Sequence, residues 1–404
     1  MRIRLVVLGI LGVSLVIFAL TSCFYAYINK KDYKAKTFYT LMITLTIIGS
    51  LLFSYPCSIY LKNKRNIPGK ELAIQFDGKI VTTQANAKER LFLPMAYDTI
   101  EATHPSVVSF EKKWHGYSYW MAVTAYPKGD ATKENPHILA SNDLTQWVEP
   151  KSGLNPLDEP HSSKNDEHNR PLQYDSDTHL IFNKEKQRLE IFWRYVDDVR
   201  NKVTIYRQTT SDGQDWSNKE IIYKENRKPN DWISPAFVKD ESGYKVWYVT
   251  RGFNIVYRDS LDGKKWKHVK KLSIPYDVKR PDEMRHWHLD VQKIDGKYEM
   301  MVVGFRKKSD NTLKDRHTMS LYHSTSVNGK DWEPLKAILH PSGIKTAWDG
   351  KGLYRSSFIK ENGNYYIFYS GIGYDQTRGI GLSYGDDLDN LQGVDFSHLE
   401  KLHN

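Results

Sequence analysis

Cysteine is almost absent from this chain. Its 404 residues include two, Cys23 and Cys57, both inside apolar stretches near the N-terminus. Disulfide frameworks, thiolate metal sites and cysteine nucleophiles are therefore excluded for everything downstream. Acid is scarce in the same region. Residues 1–70 hold ten Lys or Arg and one acid, Asp32, so they carry +9 of the chain's net +10 and leave +1 to the rest. A nucleic-acid binder carries its basic excess on the folded surface, so no nucleic-acid partner is expected. Aromatic residues are plentiful, with 26 Tyr and 11 Trp. Such side chains suit β-sheet faces and sugar-binding clefts.

Two apolar runs, residues 5–27 and 38–61, are each long enough to span a bilayer core, which takes about 20 residues. Their basic flanks fit anionic lipid. The expectation is two transmembrane helices over residues 1–61, with the lipid bilayer as a partner. Leu20-Thr21-Ser22-Cys23 also looks like a bacterial lipoprotein cleavage box. Two spans place both ends on one side. Six basic residues on the outer flanks against four in the loop lean towards a cytoplasmic domain.

Beyond residue 61 a repeat decides the fold. Ser141-x-Asp143-x-x-x-Trp147 recurs as Thr210-x-Asp212-Gly213-x-x-Trp216, Ser260-x-Asp262-Gly263-x-x-Trp266 and Ser326-x-Asn328-Gly329-x-x-Trp332. A worn fifth copy, Asp387-Leu388-x-x-Leu391, follows Ser383. Asp-Gly and Asn-Gly are hairpin turns, because both positions tolerate positive φ. The tryptophans are expected to pack between repeats rather than to touch ligand. Three strand signals precede each turn and one follows it. Each repeat is therefore a four-stranded antiparallel sheet that cannot bury its apolar face alone. The expected fold is all-β: a five-bladed β-propeller over residues 91–404. Residues 62–90 read as a polar linker with a possible ring-closing strand.

In such a ring the residues opening the innermost strands meet at one mouth of the central channel. They are His104, Asp177, His179, Ser234, His288, Asp290 and Arg355, with Asp98, Trp232, Glu283, Arg285, His286 and Trp287 just upstream. The set is rich in acids, histidines and aromatics, where ordinary strand openings would be Thr, Val or Gly.

With its Ser-x-Asp-Gly-x-x-Trp turns, Asp177 opening a blade and Trp287-His288-x-Asp290, the chain over roughly residues 90–395 resembles the five-bladed furanosidase superfamily. That superfamily comprises arabinanases, β-xylosidases, arabinofuranosidases and invertase-like glycoside hydrolases. The resemblance implies hydrolysis of glycosidic bonds by carboxylates at the channel mouth, where one is ionised and another kept protonated. The candidates are Asp177, Glu283, Asp290 and Asp98. The slot of the usual first acid holds His104 instead, a departure from the family pattern. His104, His179, Trp232, Arg285, Trp287, His288 and Arg355 would contact substrate.

No cofactor is expected, although His179, His288 and Asp290 could gather a cation. The implied partner is an oligo- or polysaccharide, and the implied role is a membrane-anchored enzyme on a bacterial surface or extracellular polysaccharide. Family grounds favour an extracytoplasmic domain. A non-catalytic glycan-binding propeller and a phosphate-using relative are the alternatives.

Overall fold

The computed structural model describes residues 74–76, 79–81, 85–160, 162, 164–307 and 319–395. Both apolar runs, Cys23 and Cys57 lie outside these residues. Among the described residues no helix is long and apolar enough to cross a membrane.

The described chain forms five antiparallel sheets in a ring. Blade 1 is β3 (Ala102–Trp114), β4 (Tyr117–Ala125), β5 (Pro136–Ser141) and β6 (Trp147–Val148). Blade 2 is β7 (Gln173–Asn183), β8 (Arg188–Asp197), β9 (Lys202–Thr210) and β10 (Glu220–Asn226). Blade 3 is β11 (Ile233–Asp240), β12 (Gly243–Val249), β13 (Ile255–Ser260) and β14 (Lys267–Lys271). Blade 4 is β15 (Met284–Ile294), β16 (Lys297–Arg306), β17 (Ser320–Ser326) and β18 (Lys336–Leu339). Blade 5 is β19 (Gly352–Glu361), β20 (Asn364–Ile372), β21 (Arg378–Gly385) and β22 (Gln392–Asp395). The first strand of every blade is innermost, and β19 lies beside β3 to complete the circle.

The expected ring-closing strand takes a different form. β1 (Ile74–Phe76) and β2 (Lys79–Val81) make a hairpin that pairs through β2 with β22, so blade 5 has six strands. Each blade already holds four strands of its own, so the hairpin widens an outer edge and fills no gap.

The turn repeat works as its chemistry suggests. Asp143, Asp212, Asp262 and Asn328 each accept two backbone N–H bonds through Oδ1 from the residues two and three places on. Asp387 does the same, which confirms the fifth copy. Gly385 stands where the other copies have Ser or Thr, and Ser383 donates to the Ala85 carbonyl instead. Two turn tryptophans meet neighbouring blades edge-on, Trp147 at Phe368 and Trp332 at Trp247, whereas Trp266 meets Trp232 and Phe237 of its own blade. Trp216 packs against the cluster holding Trp120 of blade 1.

Candidate active site

All five innermost strands carry a register shift at the same level. The shifts fall between Thr103 and Ser106, Ser176 and His179, Ile233 and Ala236, His286 and His288, and Tyr354 and Ser357. A bulge inserts an unpaired residue and re-aims its side chain. Three of the bulged residues adopt positive φ: His104 at 55°, Asp177 at 54° and Ser234 at 52°. Non-glycine residues rarely do so, and such strain gathers at functional sites. The ring of bulges is what brings distant strand openings together.

Three of those openings form the site. One ligand atom each from His104, Asp177 and His288 lies within 4.8 Å of the others, and all three residues are buried. Asp177 Oδ1 stands 3.3 Å from His104 Nε2 and 3.4 Å from His288 Nδ1, without hydrogen-bond geometry. Asp177 Oδ2 is ion-paired with Arg194, while Asp177 Oδ1, His104 Nε2 and both His288 nitrogens are buried with no hydrogen-bond partner. Buried polar atoms are normally satisfied, so four orphans in one place require an explanation.

The protonation states fit a cation. Burial drives His104 well below the usual imidazole range and His288 down to about 4, so both rings are neutral. Burial pushes the Asp177 carboxyl up. The Arg194 guanidinium, its Nε 2.9 Å from Oδ2, outweighs this and holds the carboxyl well below its ordinary value. The His104 tautomer follows from its neighbours. Thr124 Oγ1 donates to the Thr103 carbonyl, so it accepts from His104 Nδ1–H at 3.1 Å. The Nε2 lone pair is thereby aimed at the cluster, as ligating histidines are held in metal sites. Two neutral imidazoles and one carboxylate are a donor set for zinc or a similar divalent ion.

Glu134 completes the group. Its Oε1 lies 3.2 Å from His104 Nδ1 and accepts from Ser176 Oγ at 2.6 Å. Burial, with repulsion from Asp177, pushes its carboxyl up to about 8. The Tyr354 ring packs edge-on to His288 at 4.2 Å, and the Tyr126 ring stacks 6.5 Å from His104. Trp287 lies at the same rim, 5.2 Å from the His288 ring.

The other sequence candidates lie elsewhere. Asp290 sits deeper along the axis, where Oδ1 accepts from His179 Nε2 at 2.9 Å and Oδ2 from Ser357 Oγ at 2.8 Å. The trio His179, His288 and Asp290 is therefore divided between two levels, and the cation-type cluster is His104, Asp177 and His288 instead. Arg355 is fully buried and donates to the backbone carbonyls of Thr178 and Pro235. Trp232 is fully buried, stacked 4.3 Å from Tyr248 and bonded to Glu225, so no sugar can reach its face. Glu283 is paired with Arg280 and Arg306. Arg285 donates to the carbonyls of Asp282 and Met284. Asp98 lies in a separate cleft.

Fold and site together define a five-bladed propeller with a cation-type cluster at one mouth. No family model matches the chain. In sequence it is similar to the A type blood N-acetyl-α-D-galactosamine deacetylase of Flavonifractor plautii, 27% identical over 311 residues. That match covers 65% of this chain and spans 38% of the length of the relative. In structure it is similar to an N-acetylgalactosamine deacetylase from F. plautii crystallised with blood group B trisaccharide. There the TM-score is 0.66 at 20% identity, covering 80% of this chain and 98% of that one. A xylan β-1,4-xylosidase from Bacillus halodurans shares the fold at a TM-score of 0.51 and 13% identity, covering 72% and 54% of the two chains.

Proposed function

We propose that this protein is a divalent-cation-dependent carbohydrate deacetylase, removing the acetyl group from an N-acetylated sugar of a surface or extracellular polysaccharide. The observation that carries the reading is the set of buried, unpartnered ligand atoms on His104, Asp177 and His288. The sequence similarity to a deacetylase supports it.

A bound divalent ion would supply Lewis acidity and a water-derived nucleophile near neutral pH. His104, Asp177 and His288 would hold it. Thr124 fixes the His104 tautomer, and Arg194 keeps Asp177 ionised. Glu134 is the proton carrier. Ser176 and His104 engage its Oε1, leaving Oε2 of the ionised form, which gains population as the pH rises towards about 8, to take a proton from the attacking water and return it to the departing amine. Tyr126, Tyr354 and Trp287 form an aromatic rim suited to a sugar ring.

Glycoside hydrolysis is the second reading. It is favoured by two neighbouring carboxyls with opposite tuning, Glu134 raised to about 8 and Asp177 held low. We read residues 5–27 and 38–61 as a membrane tether, supported by their length and basic flanks. A fraction that resists alkaline extraction from membranes is the expected outcome, and full release into the supernatant would defeat that part.

The deciding assay measures acetate release from N-acetylated oligosaccharides alongside cleavage of aryl glycosides. Acetate release should stop on chelation, return with added divalent ion, and fall by roughly a hundredfold or more in His288→Ala. Chelator-insensitive glycoside cleavage with the N-acetyl groups intact would favour the second reading and reject the first.

A further inference from the structure

A second concavity lies beside the entry to blade 1. It is a cleft of about 510 Å³ in the segment that leads into β3, lined among others by Arg90, Phe92, Pro94, Asp98, Ile100 and Glu101. The segment is held by its alternation. Leu91, Leu93 and Met95 are buried in the core of blades 5 and 1, and Leu91 N donates to the Ile380 carbonyl at 2.7 Å. Phe92 on the opposite side is 41% exposed. The chain then turns back through Tyr97 and Asp98, both at positive φ, and closes with a bridge between Met95 and Thr99. This turn lifts the Asp98 carboxylate to the surface at the cleft.

The cleft is linked to the site through Glu101. Glu101 is three residues before His104, and its Oε2 accepts the backbone N–H groups of Lys128 and Arg378. The Arg378 guanidinium covers the Tyr126 ring at 5.6 Å, and that ring stacks against His104. Glu101, Arg378 and Tyr126 therefore connect the cleft lining to the His104 ring by successive contacts.

We propose that the cleft is a glycan subsite, holding a hexose unit next to the sugar whose acetyl group lies at the cluster. This rests on the deacetylase reading for the identity of the reacting unit. The chemistry is that of pyranose recognition. Phe92, Pro94 and Ile100 offer apolar surface to the C–H face of a ring, while the exposed Asp98 carboxylate offers acceptors and Arg90 donors to its hydroxyls. The volume falls within the range of small-ligand sites, roughly 300–1,000 Å³.

The test compares calorimetric binding of N-acetylgalactosamine and N-acetylglucosamine with trisaccharides that carry each at one end. The wild-type protein should bind one trisaccharide at least about tenfold more tightly than its monosaccharide. The double variant Phe92→Ala, Asp98→Asn should reduce that advantage to within about threefold, leaving monosaccharide binding and monosaccharide deacetylation unchanged. Both positions are exposed, so the fold should survive the substitutions. A wild type that binds no trisaccharide better than the monosaccharide overturns the subsite, as does an advantage that survives both substitutions. Failure of the deacetylase reading looks different: no acetate is released from any sugar, while trisaccharide binding still depends on Phe92.

Discussion

Glu134 is the residue on which the proposed chemistry turns. It is also one that strand openings do not reveal, because it lies between the second and third strands of blade 1. His104, Asp177 and His288 were legible because they open innermost strands. Glu134 reaches the same point from the connection before the third strand and Arg194 from late in a second strand, and a sequence offers no register to place either beside the axis. Glu134→Gln keeps the shape and removes the proton carrier. Deacetylation should drop by about 10²–10⁴-fold, while metal content measured by mass spectrometry stays at the wild-type level. Equal loss of metal and activity would instead make Glu134 part of the cation's cage.

His137 gives a stability prediction at the same scale. It is fully buried, its Nδ1 donates to the Asn135 carbonyl and its Nε2 accepts from Ala96 N–H. Burial lowers its pKa to about 4, whereas the unfolded ring titrates near 6.5. Between those values the unfolded chain binds the extra proton. Its contribution to stability is therefore complete above about 6.5 and is lost as the pH falls towards 4, on the order of 3 kcal/mol in all. Denaturant midpoints should fall over this window in the wild type and fall less steeply in His137→Gln.

At the scale of the element, the turns were readable and the bulges were not. A Ser-x-Asp-Gly signature carries its own hydrogen bonds, so five copies could be counted without knowing what they join. A bulge exists only relative to a partner strand. No local pattern distinguishes His104-Pro105 from continuous strand. That gap explains why Asp290 looked equivalent to Asp177 in the sequence. The bulge lifts Asp177 to the mouth, while Asp290, beyond its own bulge, keeps regular pairing with Met301. The turn glycines give a direct test. A Cβ on Gly213, at φ +78°, would lie 2.0 Å from Trp120 Cη2 of blade 1. Gly116, at φ +90°, has nothing within 4 Å. Gly213→Ala should cost about 2–4 kcal/mol, from backbone strain plus overpacking, and Gly116→Ala about 1–2 from strain alone. Chemical denaturation of the two variants side by side checks the difference, and equal costs would mean that the blade interface yields.

For the whole molecule, one polar network joins all five innermost strands. Phe237 N–H donates to His179 Nδ1, His179 Nε2 donates to Asp290, Ser357 Oγ donates to Asp290, and Val107 N–H donates to Ser357 Oγ. Above it, Arg355 reaches from blade 5 to backbone carbonyls of blades 2 and 3, and Thr178 Oγ1 donates to the His104 carbonyl. Buried networks of this kind couple their members, so damage at one should be felt across the ring. Asp290→Asn should lower stability by about 2–3 kcal/mol while leaving metal content intact. If Asp290→Asn unfolds like the wild type but loses metal, the two levels along the axis are one site after all.

The same network determines how a long substrate can come and go. An axis stitched shut beneath the cluster makes the propeller a cul-de-sac rather than a pipe. A polymer cannot be threaded through it or drawn along it, so whatever reacts must enter and depart by a single doorway. Modification of a long glycan would then be distributive, with separate visits scattering altered units along the strand instead of clearing a continuous stretch.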